Sequence, residues 1–270
     1  MCKILQISKS KYYNWLKKPD GKHQQRMRKL DLMIKSIFIE HKERYGSTRI
    51  YHELKARGIA CTRNTISTRM QSMNLIAKAR KKFKVTTDSN HNLRVASNVL
   101  EQDFNATSPN KKWVTDISYI PTKEGWLYLC VFLDLYSRSV IGWSMQDTLQ
   151  SKLVTDALTM SLFRRKFPSN VVVHSDRGSQ YCSKKYQYLL MKNKLTCSMS
   201  GKGSCYDNAP AESFFHSLKV ELVHGNKYKT KQEAKSSIAS YIECYYNKKR
   251  RHSGINYCIP EEYEKLLNVG

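Results

Sequence analysis

With 270 residues and 40 % hydrophobic content, the chain can bury a real core and has room for a small and a medium-sized domain, which excludes a disordered basic tail. Its formal net charge is +25, with 23 Lys/Arg against 8 Asp/Glu in residues 1–110 and 24 against 14 in residues 111–270. A polyanion touching both halves fits that spread, because each neutralised phosphate releases counterions; a membrane fits poorly, since no basic amphipathic segment, lipidation signal or apolar run of bilayer length stands out.

Residues 1–18 read as the end of a helical unit, with Ser8 as a plausible N-cap before Tyr12, Tyr13, Trp15 and Leu16. The start at Met1 is abrupt, as if a first helix had been left off, and no signal-peptide pattern is visible there. Pro19-Asp20-Gly21 breaks the helix. From Lys22 to Arg44, Leu30, Met33, Ile34, Ile37 and Phe38 recur at helical spacing. Two short helices are predicted at about 47–57 and 63–73, with Gly58 as C-cap of the first and Thr62 as cap of the second. Helix, Gly-containing turn and helix suit a helix-turn-helix reader of the major groove, with Arg63, Asn64 and Arg69 as its DNA contacts. A plain helical hairpin with solvated charges is the alternative. Residues 1–77 thus form a small all-α DNA-binding region. Residues 78–110 read as a basic linker whose Lys/Arg cluster can track phosphates.

Beyond the linker the period changes from helix to strand. Segments 112–120, 126–137 and 139–146 are rich in β-branched and aromatic residues and separated by short breaks. A helix at about 151–165, a strand at 170–176, a helix at about 183–193 and a short strand at 196–200 follow, then a Gly-rich loop at 201–204. Two helices, at about 208–224 and 231–247, come next. This order is that of an α/β ribonuclease-H-like core, a mixed five-stranded sheet flanked by helices, over residues 111–270 with a basic C-terminal helical extension. The eight cysteines are scattered without a CxxC pair, which suits reduced thiols in a cytoplasmic protein better than disulfides or a zinc knuckle.

Three carboxylates fall where such a fold brings them together. Asp116 interrupts the apolar first strand, where an unpaired charge is expensive. Asp176 ends the fourth strand, and Glu212 lies near the start of the following helix. Three converging carboxylates repel one another, and two Mg²⁺ (or Mn²⁺) ions with their preference for oxygen ligands would remove that repulsion. Two such ions about 3.5–4 Å apart can serve an in-line phosphoryl displacement. The plainer alternative is that Asp176 and Glu212 only charge helix and turn termini.

The segments WVTDISYI, VVVHSDRGSQY and DNAPAESFFHSLK closely resemble the catalytic core of retroviral-integrase-like insertion-sequence transposases, of the type encoded by a second reading frame. Asp176 and Glu212 have 35 residues between them, the D-D-35-E spacing of that family, and Lys219 follows Glu212 by seven, where the family also carries a basic residue. YGSTRIYHELKARGI resembles the family's helix-turn-helix, NLRVASNVLEQDF its linker and YYNKKRRHSGINYCIPEEYE its C-terminal signature. The resemblance implies a DNA transposase that cleaves at the 3′ ends of an element and transfers the freed 3′-hydroxyl. It also implies double-stranded DNA partners (terminal inverted repeats and target), a homo-oligomer on DNA, an upstream-frame subunit and a bacterial, nucleoid-associated location.

Glu212, His216 and Lys219 share one helix face, so Glu212 can point at the metals while Lys219 reaches phosphate and His216 reads as an ordinary polar-face residue. Phe215, Leu218 and Leu222 form the adjoining apolar stripe. Lys248, Lys249, Arg250 and Arg251 form a candidate phosphate-contact run, or else a solvated helix end. Asp134 reads as a structural charge, and Asp207 and Asn208 most simply as caps of the Glu212 helix, although the resemblance places this pair close to the active centre. His174, Ser175 and Asp176 do not read as a hydrolase triad, because successive strand residues face opposite ways. A nuclease that cuts without joining and a non-catalytic DNA-binding regulator are the competing functions.

Overall fold

A computed structural model describes residues 2–17, 21–78, 95–201, 204 and 206–266, and the chain divides into two compact units, residues 1–79 and 80–270. The basic cluster expected at 80–84 and two residues of the Gly-rich loop, 202 and 203, lie outside the described residues.

The first unit is helical. α1 (Lys9–Lys17) starts where the Ser8 hydroxyl accepts the Lys11 amide at 3.1 Å, as the sequence suggests. α2 (Lys22–Glu40) buries Leu30, Ile34, Ile37 and Phe38 but leaves Met33 exposed. It stops four residues short of Arg44, where Lys42 and Glu43 adopt left-handed backbone. α3 (Ser47–Ala56) and α4 (Arg63–Ser72) bury Ile50, Leu54, Ile66 and Met70. Between them Gly58 takes φ +75°, a conformation that suits a residue without Cβ, while the Ile59 amide reaches back to the Leu54 carbonyl at 2.9 Å. The Thr62 hydroxyl caps α4 by accepting the Thr65 amide at 3.2 Å.

The second unit is a five-stranded mixed sheet of order β3-β2-β1-β4-β5, the ribonuclease-H-like arrangement. β1 (Lys112–Thr122), β2 (Gly125–Asp134) and β3 (Val140–Gln146) form an antiparallel meander; β4 (Val172–Ser175) runs parallel to β1, and β5 (Thr196–Met199) parallel to β4. α5 (Ser151–Arg164) and α6 (Lys184–Lys192) pack on one face over Trp113, Cys130 and Phe132. α7 (Ala209–Glu221) and α8 (Lys231–Ser240) contact β1 and β2, whose alternate residues Val114, Val131 and Leu133 are buried outside that cluster.

Three features depart from the sequence reading. Residues 95–110 are not a free linker: the Val99 and Leu100 amides both donate to the Ser198 hydroxyl, at 2.9 and 3.1 Å, and Leu100 is buried. The helix expected over 231–247 changes pitch at Tyr241, where a π-helical turn (Tyr241–Tyr246) buries three tyrosines. A short α9 (Pro260–Lys265), opened by a proline at its first position, was not anticipated. Among the described residues the cysteines are free, and no helix is long and apolar enough to cross a membrane.

Candidate active site

The parallel register of β1 and β4 sets the first two carboxylates. Val114 pairs with His174, the last pair of the parallel ladder; Asp116 follows two residues further along β1, and Asp176 lies just beyond the end of β4. Asp176 lies in a tight turn after β4, in which its Oδ1 accepts the Gly178 amide at 2.9 Å. A Cβ at position 178 would stand 3.0 Å from that oxygen, so glycine gives the carboxylate room. Asp116 Oδ1 accepts the amide of its neighbour Ile117 at 2.8 Å. Glu212 stands exposed in the first turn of α7, whose buried Phe214, Phe215 and Leu218 fix the helix to the domain.

Charge ties these groups together. Burial pushes Asp116 well above the usual carboxylate range, Asp176 and Glu212 push it further, and Lys219 pulls the other way. Burial and then Asp176 also raise Glu212. Lys219, half-buried on α7, is lowered by burial and raised by Asp116. The three carboxylates and one ammonium therefore occupy a single electrostatic neighbourhood. Their oxygens are the hard donors that Mg²⁺ and Mn²⁺ take. Among the described residues no three His, Cys, Asp or Glu side chains are gathered tightly enough to hold an ion, so the carboxylates share a field without forming a closed cage.

The chain matches the integrase core domain family over residues 106–205 and a second integrase core domain family over residues 212–266, with an HTH-like domain over residues 24–83. It is 46 % identical over 266 residues to "Transposase InsF for insertion sequence IS3A" of Escherichia coli K12, covering 98 % of this chain and 92 % of that one. It is 40 % identical to the "Insertion element IS600 uncharacterized 31 kDa protein" of Shigella sonnei, covering 98 % and 97 %. The chain belongs to the IS3 family of transposases. With its integrase core it is an enzyme of the DDE transposase/integrase type. Similar solved structures, each at 14 % identity, include a simian T-cell lymphotropic virus intasome (TM-score 0.43; 77 % of this chain, 67 % of that one). Another is the HTLV-2 integrase catalytic core with magnesium (TM-score 0.41; 59 % and 98 %).

Elsewhere in the transposase the side chains named from sequence divide. Arg63 and Asn64 are exposed in the first turn of α4, and Lys248 and Lys249 are exposed after the π turn. Arg251 is half-buried, with Nη1 donating to the Tyr257 carbonyl at 3.0 Å. Arg250 is corrected outright. It is 3 % exposed and forked onto Glu221, with Nη2 2.7 Å from Oε1, so it is not available to a phosphate. Burial works to lower its pKa, but Glu221 overrides that and raises it. Arg69 is likewise committed, both arms donating to Asp31 of α2, one at 2.7 Å.

Asp134 is structural: fully buried at the end of β2, it accepts the Asn110 and Tyr136 amides at 2.8 and 3.0 Å. His174 lies buried between Ser198 and Ser200, and burial lowers its pKa to about 4, so it is a neutral hydrogen-bonding residue of the sheet. The capping role expected of Asp207 and Asn208 is also corrected. Asn208 holds the N-cap position of α7, yet its side chain makes no cap bond and donates instead to the Thr115 carbonyl at 3.0 Å. Asp207 accepts from Gly201, Ser204, Asn98 and Gln102. Tyr119 escaped the sequence reading. Its hydroxyl is raised by burial, then by Tyr128, Asp176 and Asp116.

Proposed function

We propose that this transposase cleaves DNA at the 3′ ends of its insertion sequence and joins the freed ends to target DNA, with Asp116, Asp176 and Glu212 holding two Mg²⁺ (or Mn²⁺) ions. The observation that supports the reading is that Asp116, in the strand that pairs with β4, is raised by both Asp176, just past the end of β4, and Glu212 on α7. Bound divalent ions would activate the attacking oxygen and offset charge on the leaving one. The carboxylates anchor and orient; no protein nucleophile is required. In cleavage, a water oxygen forms a bond to phosphorus as the P–O3′ bond breaks, and the 3′ oxygen leaves with a proton. In joining, that 3′-hydroxyl makes a new P–O bond while the target's own P–O3′ bond breaks.

Lys219, which feels the charge of Asp116, would meet a phosphate brought to the carboxylates. Arg63 and Asn64 on α4 and the exposed Lys248 and Lys249 are the DNA contacts away from the centre, with Arg251 as a further candidate. The protein works on terminal inverted repeats and target DNA as a homo-oligomer, with an upstream-frame subunit, in the bacterial cytoplasm at the nucleoid. The test supplies labelled terminal-repeat DNA with Mg²⁺ or Mn²⁺ and separates cut from joined products. Joined products are expected, and Asp176→Asn should reduce both products to background. Cutting without joining would make the chain a nuclease, and full activity in Asp176→Asn would sink the two-metal reading.

A further inference from the structure

We propose that Asn208 is a positioning residue that sets the spacing between Asp116 and Glu212, and that Asp207 locks Asn208 in place; this rests on the reading of those carboxylates as the active site. One residue holds both ends of the gap. The Asn208 side chain donates through Nδ2 to the carbonyl of Thr115, the residue before Asp116, at 3.0 Å. Its main-chain carbonyl accepts the amide of Glu212 at 3.2 Å and that of Ala211 at 3.1 Å. The strand carrying the first carboxylate and the helix carrying the third are thus joined through a single residue, by its side chain at one end and its main chain at the other.

The backbone explains why the side chain points to the strand. An ordinary N-cap is extended and turns its side chain back onto the helix amides. Asn208 instead has φ −118° and ψ 23°, and makes no cap bond. The bond it makes sits where the sheet needs one, because the β1–β4 ladder closes at Val114 and His174, one residue before Thr115. Asn208 is 5 % exposed, so water competes little for that bond. Its Oδ1 is buried and has no hydrogen-bond partner among the described residues. A buried acceptor left this way is unfavourable, which a residue kept only for stability would not require.

Asp207 fixes the approach. Its two oxygens accept from the Gly201 amide and Ser204 hydroxyl, both at 2.7 Å, from Gln102 Nε2 at 2.8 Å and from Asn98 Nδ2 at 2.9 Å. Burial pushes its pKa up, but these bonds outweigh it and hold Asp207 below the usual carboxylate range, so it stays an acceptor at neutral pH. Two stretches of chain, 98–102 and 201–204, therefore converge on the residue that precedes Asn208.

The test compares Asn208→Ala with Leu162→Ala, a buried α5 substitution that lowers stability away from the site. Hydrogen exchange of residues 209–214 is measured on the full chain without metal or DNA. Single-turnover cleavage and DNA affinity are measured on terminal-repeat DNA with Mg²⁺. In Asn208→Ala, exchange over 209–214 should rise about tenfold beyond the control as the first turn of α7 loses its tether. Cleavage should slow by roughly 10²-fold with DNA affinity unchanged, as expected for a displaced catalytic group. Asn208→Asp, of similar size but lacking the N–H donor when ionised, repeats the comparison if the alanine variant does not fold. The proposal is overturned if exchange matches the control, or if it rises while the cleavage rate stays at the wild-type value. A wild-type chain that does not cut DNA would defeat the proposed function, and the exchange comparison would still decide whether Asn208 tethers α7.

Discussion

Asp116 carries a cost that the metal-free chain cannot remove. Burial, Asp176 and Glu212 all raise its pKa, so between the ordinary carboxylate range and the raised value the folded chain holds a proton that the unfolded chain has lost. Stability contributed at this position is therefore present at low pH and falls as pH rises through that window. Asp116→Asn should raise the melting temperature of the metal-free protein at pH 7 by roughly 2–4 °C, and the gain should vanish below about pH 4. Mg²⁺ should stabilise the wild type and leave the variant unmoved, since a ligand stabilises only what it binds. Thermal melts at the two pH values, with and without Mg²⁺, decide it; equal melting temperatures at pH 7 would mean Asp116 is not strained. The sequence marks Asp116 and Asp176 as carboxylates inside or just beyond apolar strands, but that signal alone does not separate them from Asp134, which is buried and structural. Arg250 was not legible in the sequence. Nothing in a run of four basic residues marks the one that folds inward, and its partner Glu221 lies 29 residues away.

Elements were legible where their period was strong. The strands and the helices α2 to α7 fall within a few residues of expectation, because alternating and 3.6-residue apolar patterns are direct consequences of burial on one face. The pitch change at Tyr241 escaped, since the tyrosine-rich stretch looks like a continuing helix until Tyr241, Tyr245 and Tyr246 must share one buried side. α9 is only six residues long and offers little beyond its leading proline. The packing of α5 on β3 depended on a single glycine. At Gly142 an added Cβ would lie 2.1 Å from the Ser161 hydroxyl oxygen and 2.5 Å from the Ala157 carbonyl oxygen. The Ser161 hydroxyl could turn away, but the Ala157 carbonyl oxygen and the Ser161 nitrogen, at 2.7 Å, are backbone of α5 and could not. Gly142→Ala should cost on the order of 1–3 kcal/mol in urea unfolding, the usual range for overpacking. A neutral result would show that α5 can slide on the sheet.

At the scale of the whole molecule the charge is spread over both halves, and the structure separates buried, paired charges from exposed ones. The +25 excess includes Arg250 and Arg69, both spent on internal carboxylates, and Lys248 and Lys249, which face solvent. Burial and pairing decide that division, and neither is written in a local run of basic residues. DNA binding offers a direct way to tell the two classes apart. Removing one side chain that neutralises a phosphate should flatten the dependence of log K on log salt by about 0.9. The double substitution Lys248→Ala, Lys249→Ala should therefore reduce the slope by roughly 2 if both lysines bind phosphate. Arg250→Gln should leave the slope alone but destabilise the core by about 3–5 kcal/mol, because it strands a buried Glu221. Fluorescence anisotropy on terminal-repeat DNA between about 50 and 200 mM salt resolves slopes of this size. A flatter slope in Arg250→Gln at a temperature where the variant is folded would mean that its ion pair opens to DNA, whereas an unchanged slope in the lysine pair would remove the C-terminal run from the binding surface.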